Sequence, residues 1–403
     1  SRPQSEFATI IWFHPGDFVT GTPTIWNPHT LVYRHRVIVV TVAWRLNVLG
    51  FFTTMDSAAP GNYGLMDQQA AMLWVKKNIG LFGGNPDNIC LMGYGAGATS
   101  IGLHMTNPIS RGLFNKAIAM SGNYLSPSVA RLPKDYKEHI DAIIPEHCEK
   151  TPSSKLVECL RNTKASWLVD QAANIDWSPL LDAGLGNTSF LQDLPINSFE
   201  RGEYSQIPLL TGYTHMEKVL EIDGLSNVTD FSSAKLRELL EKKVAAATYL
   251  QASYLTKENS TYVYRFHIKL STKAARGILP EWITVPHLYD LIYVWGVPYW
   301  ENTGIDWDIR DRKFSDTVMS LWTTFAKSSD PSENNIYPIE WAPFNEDNPG
   351  IMIIDDTFNM NNSNNVSYKA FDFWNHYYPK VKEMAVKCCE LTASGNSLRN
   401  NWP

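Results

Sequence analysis

No stretch of this 403-residue chain is apolar for long enough to cross a bilayer; the longest nearly continuous run, Val37 to Trp44, is strand-sized. Positive charge is scarce as well. With 35 Lys and Arg against 41 Asp and Glu, the formal charge of −6 provides no basic field to attract nucleic acid or an anionic membrane. There are only 5 cysteines, and no Cys/His spacing resembles a zinc site, so neither a metal nor a cofactor is expected. The first residues lack a signal-peptide pattern. No internal repeat or low-complexity linker divides the chain, so one domain over residues 1–403 is expected.

What is present reads as an α/β protein. Val37–Trp44 is β-branched and almost continuous, as a parallel strand buried on both faces should be. Gly64–Gly80 has helical spacing, with Met66, Ala70, Leu73 and Trp74 expected on one apolar face. Gly83–Asp87 is a turn cluster leading into a short strand, Ile89–Met92. Further strands are predicted at Lys116–Met120, Ile207–Gly212 and Tyr262–His267, and helices at Ala234–Leu250, Asp311–Lys327 and Tyr368–Leu391. Strands alternating with helices imply a mostly parallel sheet covered on both faces.

One further absence is a single oxygen atom. Cys90-Leu-Met-Gly-Tyr-Gly-Ala-Gly-Ala-Thr-Ser100 has the outline of a Gly-x-Ser-x-Gly elbow, in which a tight strand-to-helix turn lifts a serine hydroxyl above the sheet. Gly93 and Gly97 hold the flanking positions, but the middle residue is Gly95. Glycine has no side-chain atom to attack a carbonyl. A dinucleotide fingerprint, Gly93-x-Gly95-x-x-Ala98, is the competing reading; it lacks the expected acid, since Gly112–Gly122 contains neither Asp nor Glu.

Several segments together resemble the carboxylesterase and cholinesterase family. They are Val42–Phe51, Gly61-Asn-Tyr-Gly-Leu-Met-Asp-Gln68, Phe82-Gly-Gly-Asn-Pro86, Pro286-His287 with Tyr293-Val-Trp-Gly296, and Phe373-Trp-Asn375. The resemblance implies an α/β-hydrolase fold and a Ser, Glu or Asp, His triad. By position, Glu217 in Leu209-Leu-Thr-Gly-Tyr-Thr-His-Met-Glu217 is the acid and His287 the base, around the missing nucleophile at Gly95. The family's His-Gly-Gly-Gly-Phe oxyanion loop reads His14-Pro15-Gly16-Asp17-Phe18 here, so the oxyanion-hole positions are Gly16, Asp17 and Ala96. Pro15 restrains a loop built for glycine. A carboxylate about 4 Å from a developing oxyanion would oppose it by roughly 1–4 kcal/mol, against donors worth about 3 kcal/mol each. Tyr94 fills the position before the nucleophile, where many active members carry an acid.

These departures imply the catalytically silent, cholinesterase-like adhesion branch of the family. That branch implies an extracellular domain of a single-pass cell-surface protein with a protein ligand, in one version a secreted immunoglobulin-domain protein, and a role in axon guidance. The alternative is an active carboxylesterase carrying Ser→Gly at the nucleophile. Cys148 and Cys159 are either a disulfide stapling a surface excursion or two free thiols. Sequons at Asn187, Asn227, Asn259, Asn361 and Asn365 point to glycosylation and an extracellular setting. Family members dimerise through a C-terminal helix, here about 368–391, so a homodimer is one expectation and packing on its own domain the other. Cys388 and Cys389 fall in that segment. The family also carries strands ahead of this point, and an edge left bare would invite pairing, so the folded protein is expected to include them.

Overall fold

The computed structural model describes residues 7–126, 129–132, 140–141, 143–217, 234–257, 259–277, 279–280, 282–334, 337–347, 350–360, 369, 372–378, 380–381 and 384–385. In chain order its main elements are β1 (Phe7–Phe13), α1 (His29–His35), β2 (Ile38–Thr41), α2 (Asn47–Phe51), α3 (Tyr63–Asn78), β3 (Gly84–Tyr94), α4 (Ala96–Thr106) and β4 (Lys116–Met120). There follow α5 (Ser153–Arg161), α6 (Ala165–Gln171), α7 (Pro195–Glu200), β5 (Leu209–Thr214), α8 (Ala234–Leu255), β6 (Thr261–Phe266), α9 (Tyr289–Val294), α10 (Ile309–Ser328) and β7 (Met352–Ile354). The strands form one 7-stranded sheet in the order β2-β1-β3-β4-β5-β6-β7, and every neighbouring pair is parallel. The α/β fold class, with a parallel sheet covered by helices, is therefore present.

Alternation along the strands divides the interior into two cores. Ile11, Phe13, Leu91, Ala117 and Leu209 face one side, with Leu65, Met72 and Leu103. Ile10, Trp12, Met92, Ile118 and Leu210 face the other, with Tyr293, Trp295 and Trp322. Both faces are buried, which is why the central strands read as continuous apolar runs rather than as alternating ones. β2 lies at the edge of the sheet, and its four residues are all half-exposed.

Two sequence expectations need correction. The turn cluster at Gly83–Asp87 does not precede β3 but interrupts it: β1 pairs Phe7 with Gly84 and then Thr9 with Ile89. The intervening residues form a bulge, closed by Asp87 N–H on Asn85 Oδ1 at 2.8 Å. The apolar face assigned to α3 is also wrong. Ala70, Leu73 and Trp74 are exposed, and the buried stripe is Leu65, Gln68, Met72 and Val75. It includes a polar residue because Gln68 Nε2 donates to Ser100 Oγ at 3.2 Å and its Oε1 meets His104 Nε2 at 3.0 Å. Helices 234–250 and 311–327 are present and extend to Ala234–Leu255 and Ile309–Ser328. Asp308 caps the second by accepting from Asp311 N–H. Most of segment 368–391, including Cys388 and Cys389, lies outside the described residues, as do Asn227, Asn361 and Asn365. None of the described helices is long and apolar enough to cross a membrane.

Candidate functional site: a hydrolase triad without its nucleophile

The elbow forms where β3 ends. Gly95 follows Tyr94 at φ 53° and ψ −116°, outside the comfortable range of residues with a Cβ, and α4 starts at Ala96. Its N–H bonds Met120 O at 3.0 Å, and its carbonyl accepts from Thr99 N–H at 2.9 Å. The flanking glycines are there for close approach. A Cβ on Gly97 would lie 2.0 Å from Phe13 O, and one on Gly93 would lie 2.5 Å from Gly97 C. Gly95 itself is not crowded. A Cβ there would sit 3.8 Å from His287 Nε2 and 3.9 Å from Pro15 Cβ, in ordinary contact. An attacking oxygen would therefore emerge beside the imidazole.

Glu217 follows β5 and is almost wholly buried. One carboxylate oxygen bonds His287 Nδ1, and the other accepts from Thr214 N–H at 2.9 Å, Ser121 Oγ at 3.2 Å and Thr214 Oγ1. Burial pushes the Glu217 pKa up, but the charge and hydrogen bond of His287 and the Thr214 bonds outweigh it, so the net shift is downward. His287 reaches the acid because the segment before it runs beside the end of β5. Met216 N–H bonds Val285 O at 3.0 Å, and Met216 bridges Pro286 in parallel. Leu288 then turns into the left-handed region, φ 77°, and donates its N–H to Tyr94 Oη at 2.8 Å. The Tyr94 ring stands edge-on to His287 with centroids 4.8 Å apart.

The structure thus brings Gly95, Glu217 and His287 together. It also reveals residues that the sequence reading missed. Asp290, three positions after His287, is fully buried and accepts from Tyr264 Oη at 3.2 Å. Burial first, and the Glu217 charge second, push its pKa up to about 7. Thr214 and Ser121 complete the acid's shell, and the positive φ of Ser121, 49°, aims that residue at the site. An acid three positions after a histidine was the only signal for Asp290; the other two carry none.

The oxyanion loop is folded by its own left-handed run. Gly16, Asp17 and Phe18 have φ of 129°, 53° and 64°, and Gly16 O accepts from Val19 N–H at 3.0 Å and Thr20 N–H at 2.9 Å. A Cβ on Gly16 would lie 2.1 Å from Thr20 O, so this glycine is required. Asp17 is exposed while Phe18 is buried against Trp44 and Phe51. His14 stacks on Trp44 with centroids 4.9 Å apart and is tied to Pro15 O through Nδ1.

Away from the elbow, Cys148 and Cys159 form a disulfide, which settles that pairing. His147 stands beside them, yet the bonded sulfurs offer no thiolate to a metal. Asn259 is half-exposed between α8 and β6, whereas Asn187 belongs to a 3₁₀ turn whose side chain at that position is not described.

With this geometry in place, comparison with known proteins decides the family. The sequence matches the carboxylesterase family over residues 1–258 and 227–374, together more than half of the chain. The chain belongs to the carboxylesterase family. Among its relatives, neuroligin-2 of Mus musculus is 27% identical over 472 residues, covering 100% of this chain and 55% of that protein. Neuroligin-2 of Homo sapiens gives the same figures, 27% over 472 residues with the same coverage. A fatty acyl-CoA hydrolase precursor, medium chain, from Anas platyrhynchos is 25% identical over 394 residues, covering 86% of this chain and 69% of that protein. The chain spans about half the length of the neuroligins it matches.

Proposed function

We propose that this carboxylesterase-family domain is catalytically silent and acts in cell adhesion by recognising an extracellular protein. The observation that carries the reading is Gly95: a hydrogen occupies the attacking position beside an intact Glu217–His287 pair. Covalent acyl transfer needs a nucleophile within reach of its base, and among Gly95, Glu217 and His287 none plays that part. Gly16, Asp17 and Ala96 are then the remnants of an oxyanion hole, with Pro15 and Asp17 at positions where the family's loop carries glycine.

Similarity to neuroligins at this level supports a cholinesterase-like adhesion protein at the cell surface. Within that branch residues 14–18 and 280–296 resemble the insect members, neurotactin above all. That resemblance carries the finer parts of the reading: a single-pass membrane anchor, a secreted immunoglobulin-domain ligand, axon guidance, and homodimerisation through a C-terminal helix. Glycosylation at Asn187, Asn227, Asn259, Asn361 and Asn365 belongs with the same extracellular setting.

The hydrolase relative keeps a second reading in view, an esterase silenced by one substitution. Gly95→Ser separates the two. Its hydroxyl would stand near His287 Nε2, so the silent-scaffold reading rests on the damaged oxyanion loop and expects no more than trace hydrolysis of small aryl esters. Robust turnover would favour the esterase. Adhesion is tested by binding of the purified domain to candidate secreted immunoglobulin-domain proteins in a cell-aggregation assay; absence of any such binding would count against it.

A further inference from the structure

A second concavity shares no residue with the degenerate triad or the oxyanion loop. It opens between α2, the start of α3, α5 and α6, with a volume of about 300 Å³. That is at the lower end of the range of small-molecule sites. Its walls are aliphatic and aromatic: Val48, Phe52, Ile143, Leu160 and Leu168 are buried or half-buried around it. The Cys148–Cys159 disulfide ties the segment after Ile143 to α5, which carries Leu160, so two walls are covalently linked.

Two guanidinium groups line this largely apolar space, to which Tyr63 and Thr163 also contribute. Arg45 is held by Asp67, with Nε and Nη2 each 2.8 Å from a carboxylate oxygen, and its charge is answered there. Arg161, in the last turn of α5, is exposed and makes no ion pair with any described residue. Its charge also suits the negative end of α5, which accounts for a basic residue at that place but not for the apolar cleft beside it. A largely apolar cleft whose lining includes one cation with no ion pair among the described residues is complementary to an apolar chain ending in an anion.

We propose that this cleft binds a medium-chain carboxylate, its hydrocarbon between α2 and α6 and its carboxylate on Arg161. The probe is decanoate, titrated calorimetrically below its micelle concentration into the intact domain, beside decylamine and the variants Arg161→Gln and Ala165→Trp. Ala165 is exposed in the lining of the cleft, so a bulky side chain there would obstruct the cleft from its surface. The expected result is one decanoate site, about tenfold weaker in Arg161→Gln, as loss of a charge-assisted contact implies, and abolished in Ala165→Trp. Decylamine should bind at least tenfold more weakly than decanoate. The proposal is overturned by no decanoate binding, by equal binding of the amine, or by equal affinity in Arg161→Gln, whose exposed position leaves the fold intact even where Ala165→Trp does not.

Discussion

Glu217 and Asp290 are two buried carboxyl groups whose environments push them in opposite directions. His287 and the Thr214 donors hold Glu217 ionised against its burial, while burial and the repulsion of Glu217 raise Asp290 against the lowering hydrogen bonds of Tyr94 and Tyr264. Because the Asp290 pKa rises from 3.8 to about 7, the folded state retains a proton that the unfolded state has lost across that interval. Stability is then expected to fall as pH climbs through that window and to level off above it. Asp290→Asn should flatten this limb in urea-denaturation midpoints measured from pH 4 to pH 8, whereas an unchanged slope would exclude Asp290 as its source. Glu217 has the opposite sign. Its folded value is lowered, so its contribution is complete above the ordinary glutamate range, about 4.3, and is lost as pH falls through the lowered value. Glu217→Gln is therefore expected to remove part of the acid-unfolding limb and to destabilise the domain at neutral pH, where the carboxylate's bonds to His287 and Thr214 are lost. The triad remnant is a hydrogen-bonded acid–histidine pair, buried at Glu217 and half-exposed at His287.

At the scale of elements, the elbow depends on glycines for two different reasons, and substitution tells them apart. Gly97→Ala would drive a methyl into the backbone of β1, 2.0 Å from Phe13 O, and neither element can move without breaking the β1–β3 pairing. A loss of about 3 kcal/mol or more is expected, as for other severe overpacking. Gly95→Ala meets nothing closer than 3.8 Å and is opposed only by its positive φ, so about 1–2 kcal/mol is expected. Thermal denaturation should rank the native chain above Gly95→Ala and that above Gly97→Ala; the reverse order would contradict the packing described here. The Cys148–Cys159 bond closes a loop of sequence separation 11, and replacing both cysteines by serine is expected to cost about 2–4 kcal/mol in urea unfolding.

The same elements show what the sequence could and could not reveal. The elbow and β4 were legible because glycine spacing and an apolar strand are local signals, whereas the Glu217 and His287 positions were legible only through the resemblance of their segments to the carboxylesterase and cholinesterase family. The face of α3 was not. Gln68 turns inward to satisfy Ser100 and His104, which lie more than thirty positions away, so an apolar-periodicity argument necessarily selected the wrong stripe. β7 is only 3 residues long and offers no periodicity to read. Asp290 escaped for a related reason: an acid is ordinarily a surface residue, and only the tertiary contact with Tyr264 places it inside.

Across the whole molecule, the parallel sheet carries the three triad positions at the C-terminal ends of β3 and β5 and on the segment entering α9, where α/β folds ordinarily place their sites. Of the scaffold that would support hydrolysis, the parallel sheet, the elbow and the acid–base pair are present. What is missing is local, and a fold alone does not fix an activity. The recognition role we propose needs no attacking atom, and Gly95 supplies none. The most direct measurement is intact-mass analysis of the native protein after exposure to a fluorophosphonate that phosphonylates activated serines. The expected spectrum is that of the unmodified chain; a stoichiometric covalent adduct would contradict the account.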